Sequence, residues 1–127
     1  MKISFNWAAS VETRLIASLQ NAIKTTIAKI LKKHKAKGEL SITFGDGRLL
    51  YKLNKKYRNK NKTTDVLSFN LGDAKKIMGD IYISIPRAKK QAKEYNVDLK
   101  DELIRLAAHG TLHVLGYTHK EMGEYGR

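Results

Sequence analysis

The chain has 127 residues, enough for one domain with a real core and too few for two. It contains no cysteine, which excludes a disulfide framework and leaves histidine and carboxylate as its good metal ligands. Twenty-five Lys and Arg against twelve Asp and Glu give a formal charge of +13, which repels basic surfaces and attracts polyanions; nucleic acid leads as the partner class, beside the plainer alternative of a solvated lysine-rich surface.

Residues 2–7 alternate as a strand with Ile3, Phe5 and Trp7 on one side. No apolar run has signal-peptide length or could span a bilayer, so a soluble, cytoplasmic protein is expected. From about Ser10 to Lys33 the sequence predicts a long amphipathic helix. Leu15, Leu19, Ala22, Ile23, Thr26, Ile27, Ile30 and Leu31 form its stripe, and Lys24, Lys29, Lys32, Lys33 and Lys35 lie off it or at its end. The helix lacks an aromatic face, which makes an anionic membrane a weak partner. His34, among the lysines, reads as solvated. Gly38 marks a break, and Glu39 to Phe44 alternates as a second strand with Leu40, Ile42 and Phe44 inward. In the turn Gly45-Asp46-Gly47, Asp46 is suited to cap a helix that begins near Arg48 and carries Leu49, Leu50, Leu53 and Tyr57.

Arg58-Asn59-Lys60-Asn61-Lys62-Thr63-Thr64 is a polar, basic loop that core packing does not explain. Asp65 to Phe69 reads as a strand, Gly72-Asp73 as a loop, and Gly79 to Ile85 as a further strand. Pro86 opens a helix to about Tyr95, at the position where its missing amide is harmless, with Lys89, Lys90 and Lys93 outward. Asp98 is placed to cap the last helix, whose first turn holds Asp101 and Glu102 and so suits the helix dipole. From Leu103 to Leu115 only Arg105, His109, Thr111 and His113 interrupt apolar residues or glycine, which predicts a helix central in the fold. Strands interspersed with helices predict a mixed α/β, or α+β, single domain over residues 1–127, its sheet of about four strands packed against helices.

The chain closes on H-G-T-L-H-V-L-G-Y-T-H at 109–119, an H-x₃-H-x₅-H pattern that holds three of its four histidines. A helix turns about 100° per residue, so His113 returns to within about 40° of His109, roughly 6 Å along the axis, and both imidazoles can reach one ion. Gly116 suits the left-handed turn that ends a helix, after which His119 can swing back as third ligand. Three neutral imidazoles with a vacant position describe a catalytic zinc better than a structural one, and imidazoles also accept nickel, copper or iron. The plainer alternative makes His109 and His113 core histidines and His119 a tail residue; three histidines at ligand spacing favour the metal.

The same spacing and internal glycine occur in the metzincin protease motif H-E-x-x-H-x-x-G-x-x-H, where the glutamate is the general base. Gly110 stands in that place here, so the metal geometry is expected without the protease base.

Together with Leu53-Asn54-x-x-Tyr57-Arg58 through Lys60, Lys62 and Thr64-Asp65-Val66-Leu67-Ser68-Phe69, and with Gly79-Asp80-Ile81-Tyr82-Ile83-Ser84, the histidine motif resembles the YbeY family of bacterial metal-dependent endoribonucleases. The match runs over roughly residues 40–119, with the amino-terminal third similar in outline only. The resemblance implies a single-strand-specific endoribonuclease, active in 16S ribosomal RNA 3′-end maturation and ribosome quality control, with ribosomal RNA, the ribosome and small-subunit assembly factors as partners. It implies one zinc-like ion on His109, His113 and His119, with His109 also catalytic. Arg58 would grip a phosphate through two parallel hydrogen bonds, and Lys60 and Lys62 would guide the strand. The alternatives are an exposed arginine at a helix end, a zincin-like protease, and a non-catalytic RNA-binding assembly factor with structural zinc. No base is obvious: an activated water, the RNA 2′-hydroxyl, Asp65 and Asp80 all stay open, and Asp65 could equally pair with Arg58.

Thr118 stands where the family usually has Asp, Thr63 where it has Pro and Asn61 where it has Asp. A carboxylate beside a ligand orients its ring, so Thr118 is expected to weaken metal affinity by about 10- to 100-fold. The chain stops soon after Tyr125-Gly126-Arg127, and absence of a tail helix is expected.

Overall fold

A computed structural model describes residues 1–8, 13–73 and 75–126, apart from the side chains of Thr13, Leu15, Ile16 and His119. The order is β1 (Lys2–Trp7), α1 (Thr13–Lys33), β2 (Gly38–Gly45), α2 (Gly47–Arg58), β3 (Val66–Asn70), β4 (Ile77–Ser84), α3 (Ile85–Glu94) and α4 (Leu99–Val114), then two 3₁₀ turns, η1 (His119–Glu121) and η2 (Gly123–Tyr125). The strands form one mixed sheet in the order β1-β2-β4-β3, with β3 antiparallel to β4 and the other neighbours parallel. The expected α+β architecture and strand number are both observed.

Strand alternation sorts the residues into two faces. Ile3, Phe5 and Trp7 of β1, Leu40, Ile42 and Phe44 of β2, and Ile81 and Ile83 of β4 face a core closed by Ile23, Ile27 and Leu31 of α1 and Leu103, Leu106 and Ala107 of α4. Each fully buried Leu or Ile stabilises this core by about 1.5–3 kcal/mol. α2 lies on the opposite face, where its Tyr57 meets Phe69 of β3. Leu50 and Leu67 are buried apart from the main core.

The boundaries differ in places from expectation. The predicted start of α1 near Ser10 and the place of Leu15 in its stripe lie outside the described residues. Ile85 opens α3 instead of closing β4, because Ser84 caps that helix by accepting from the Arg87 amide at 3.3 Å. Asp46 caps α2 as expected, accepting from Leu49 N at 3.0 Å. Asp98 occupies the cap position of α4 but makes no side-chain cap bond, so this helix is held mainly by burial.

Candidate metal centre

α4 carries the first two histidines, and the sheet fixes where they sit. Gly110 faces β3 and β4: a Cβ there would lie 2.8 Å from Ile81 Cγ2 and 3.3 Å from Ser68 Oγ. The glycine therefore lets α4 approach the strands, and no larger residue fits without displacing them. His109 and His113 stand one turn apart, with ring centroids 4.7 Å apart at 73°; His109 is 5% exposed and His113 lies open to solvent.

Each ring is oriented by a backbone carbonyl. His109 Nδ1 lies 3.0 Å from Tyr125 O, and His113 Nδ1 lies 3.1 Å from Tyr117 O. A carbonyl only accepts, so both Nδ1 atoms carry the hydrogen, and in the neutral rings Nε2 is the lone-pair nitrogen. That is the tautomer of a metal-ligating histidine whose other nitrogen donates to an outer partner. The donor set thus fits a divalent ion of imidazole preference.

The carbonyls reach the rings because the chain reverses at the end of α4. Gly116 has φ 96°, and the amides of Gly116 and Tyr117 donate to His113 O and Leu112 O, both at 2.9 Å, a Schellman closure. This is the left-handed stop expected of Gly116. Thr118 then immediately precedes η1, its amide and hydroxyl donating to Glu121 Oε1 at 2.9 and 2.7 Å. The hydroxyl first, then the amide, holds the Glu121 carboxyl below its ordinary value. His119 opens this turn, its side chain lying outside the described residues. Among the described residues no group of three or more His, Cys, Asp or Glu is placed to hold a metal ion.

Two side chains missed by sequence reasoning brace the residues whose carbonyls orient the rings. Arg105 Nη1 donates to Tyr125 O at 3.2 Å while its Nε and Nη2 grip both oxygens of Glu102 at 3.1 and 3.0 Å. Burial lowers the pKa of Arg105, with Asp65 and then Tyr95 opposing the shift. His34, expected to be solvated, is half-buried with Nε2 2.6 Å from the Tyr117 hydroxyl, because α1 ends beside the turn after α4. Neither had a local motif; only the fold joins positions so far apart in sequence. The T-x-x-E spacing of Thr118 and Glu121 was a readable signal for the turn.

The basic residues divide. Arg58 ends α2, donates from Nη2 to Ser68 O at 3.2 Å and lies 5.6 Å from the centroid of the Phe69 ring. Ser68 is the link to the histidines, since its hydroxyl faces Gly110. Lys62 instead lines an open groove with Gly47, Arg48, Tyr51 and Lys52 along the start of α2. Lys60 is exposed, its amide bonded to Asn54 O at 3.2 Å. Buried Asn54, a third residue whose role was missed, pins the basic loop by donating to Lys62 O at 2.9 Å. Asp65 does not pair with Arg58: it accepts from Gln91 at 3.1 Å and lies 4.0 Å from Arg105. Asp80 accepts from the Tyr82 hydroxyl at 2.8 Å on the sheet face away from α4.

The fold and this site define an α+β protein with a histidine centre on its buried helix. The family model described as endoribonuclease YbeY matches residues 5–126, and the chain belongs to that family, an enzyme of the nuclease class of hydrolases. It is 38% identical to the endoribonuclease YbeY of Flavobacterium psychrophilum over 93% of this chain and 82% of that protein. Its identity to the endoribonuclease YbeY of Desulfitobacterium hafniense is 36%, over 95% of this chain and 86% of that protein. A solution structure of a Thermotoga maritima protein superposes with a TM-score of 0.67 at 26% identity, covering 98% of this chain and 83% of that one. No helix among the described residues is long and apolar enough to cross a membrane.

Proposed function

We propose that residues 1–127 form one domain that cleaves single-stranded RNA with a divalent ion, zinc first among the candidates, held by His109, His113 and His119. The observation that carries this is the pair of Nδ1 anchors, which fixes on both His109 and His113 the tautomer in which Nε2 is the nitrogen able to ligate. Gly110 weighs against peptide hydrolysis, because the sheet occupies the space a glutamate base would need.

When bound, the ion supplies a Lewis acid that polarises a phosphoryl oxygen and acidifies water. The chain's own residues do the rest. His109, buried and held at Tyr125 O, keeps its lone pair in one direction. Arg58 offers a guanidinium fork to the phosphate and offsets charge that develops there. Lys60 and Lys62 contribute field along the strand, and the net charge of +13 draws RNA in. Asp65, engaged by Gln91 and close to Arg105, is a poor candidate for the base, which leaves water or the 2′-hydroxyl as nucleophile without an assigned carboxylate. Family membership supports maturation of the 16S ribosomal RNA 3′ end and ribosome quality control in the cytoplasm, with the ribosome and its small-subunit assembly factors as partners.

The test is RNA cleavage by the protein as isolated, after chelation, and after return of zinc or nickel, with elemental analysis of each sample. Chelation should abolish cleavage and the metal restore it, and a peptide substrate should stay intact. Peptide cleavage without RNA cleavage, or RNA cleavage by a folded His109→Ala variant, overturns the reading.

A further inference from the structure

On the sheet face away from α4, Phe69 of β3 pairs with Asp80 of β4, and Tyr82 lies two residues further along β4 on the same face. The Phe69 ring centroid is 5.6 Å from that of Tyr57 at 63° and 6.3 Å from that of Tyr82 at 69°. These three rings, with Leu71 and Asp80, line an open trough of about 110 Å³. Two cations flank it: Arg58 lies 5.6 Å from the Phe69 centroid and Lys56 Nζ 5.1 Å from that of Tyr57. A satellite core under α2 would explain a half-buried Phe69, but Tyr57 is 59% and Leu71 69% exposed. The trough therefore presents aromatic surface, positive charge and one carboxylate to solvent.

We propose that this trough is a base-binding subsite, in which one unpaired base of single-stranded RNA stacks against Tyr57 and presents an exocyclic amino group to Asp80. The proposal deepens the RNA-cleaving reading and rests on it. Aromatic faces flanked by cations suit a base and its phosphates, since every base has a π-face and every linkage a negative charge. An acidic peptide would share the cations but set its carboxylates against Asp80. Asp80 uses Oδ2 to accept from Tyr82, and Oδ1 has no hydrogen bond among the described residues. A carboxylate accepts from the amino group of cytosine or adenine and has nothing to accept from the O4 edge of uracil.

The trough also lies in register with the cleavage centre. β3 is the edge of the sheet, with Phe69 on the trough face and Ser68 on the α4 face against Gly110. Arg58 reaches both, touching the Phe69 ring and the Ser68 carbonyl. An RNA strand gripped by Arg58 can thus leave one base in the trough while the next phosphate rounds the sheet edge toward the histidines.

The experiment measures binding of short single-stranded oligoribonucleotides to the full chain by stopped flow, before cleavage sets in, with 2-aminopurine placed at each position in turn. Quenching at one position is expected with the wild type. It should be lost in Tyr57→Ala with affinity down about 5- to 150-fold, and kept in Tyr57→Phe. Oligocytidine should bind about tenfold more tightly than oligouridine, and Asp80→Asn, which adds a donor, should narrow or reverse that preference. RNA that is bound and cut equally well by Tyr57→Ala, with the same quenching, overturns the subsite alone. A wild type that neither binds nor cuts RNA overturns the cleavage reading and the subsite with it.

Discussion

The Nε2 atom of His34 lies 2.6 Å from the hydroxyl oxygen of Tyr117. Its Nδ1 lies 2.8 Å from Ile30 O, so Nδ1 carries the hydrogen and Nε2 accepts from the phenol. The rings also meet edge to face at 5.2 Å. The backbone carbonyl of the same tyrosine orients His113, so the end of α1 steadies a ring on α4 through one intervening residue.

His34→Phe keeps an aromatic ring and removes this bond. The expected loss of stability is about 0.5–1.5 kcal/mol, the net contribution of one hydrogen bond. Outer partners of metal ligands are worth about 10- to 100-fold in affinity, and His34 acts one step further out, so zinc affinity should fall by about tenfold at most. Urea unfolding and competition with a chromogenic chelator measure the two effects separately. Unchanged zinc affinity would reduce His34 to a packing contact.

Arg105 performs the corresponding service for His109 and carries more of the fold. Its side chain is 12% exposed and that of Glu102 is 1% exposed, so the Glu102 charge has no water to fall back on. Arg105→Met removes the guanidinium from both Glu102 and Tyr125 O. A buried pair broken on one side costs about 3–5 kcal/mol, and replacing both partners by apolar residues is often neutral or better. Glu102→Leu combined with Arg105→Met should therefore recover much of the stability in urea but not the orientation of Tyr125 O. Zinc affinity in the double variant should stay below that of the wild type.

Gly110 separates the protease-like motif from its chemistry. Restoring the glutamate should not restore peptidase activity, because the added side chain begins 2.8 Å from Ile81 Cγ2. Gly110→Ala isolates the steric part. Alanine gains about 1 kcal/mol of helix propensity over glycine, and overpacking costs about 1–3 kcal/mol, so a net loss of about 0–2 kcal/mol is expected. A thermal melt of Gly110→Ala gives the sign directly, and a stabilised variant would show that α4 has room to move away from the sheet.

Much of this arrangement was legible because it is local. Leu40, Ile42 and Phe44 alternate, the α1 stripe has helical spacing, Asp46 precedes its helix at cap distance, and Gly116 announces the stop of α4. The pairing of His109 with His113 follows from one helical turn. What could not be read depends on contacts between distant segments. His34 lies among lysines in sequence and meets Tyr117 only because α1 packs along α4. Tyr117 and Tyr125 act through backbone carbonyls, which leave no side-chain signature. Gly110 was read as a missing base, whereas its close approach to Ser68 and Ile81 requires the sheet to be in place. Asp65 and Asp80 looked equivalent as carboxylates, and strand alternation sends Asp80 to the face away from α4.

Tyr82 gives the trough a pH signature. Burial first, then the hydrogen bond to Asp80 and its charge, push the phenol from 10.0 up to about 12. The neutral form is favoured in the folded state, so this contribution is complete below the ordinary pKa. Above it the unfolded chain releases the proton while the native chain keeps it, and stability falls with rising pH between about pH 10 and 12. Every other titrating group is common to the wild type and to Tyr82→Phe, so the difference between the two isolates the phenol. Urea midpoints followed from about pH 9 to about pH 12 should fall more steeply for the wild type than for Tyr82→Phe. Parallel slopes would mean that Tyr82 meets solvent freely, and an open Tyr82 would also leave Asp80 without the bond that orients it toward a base.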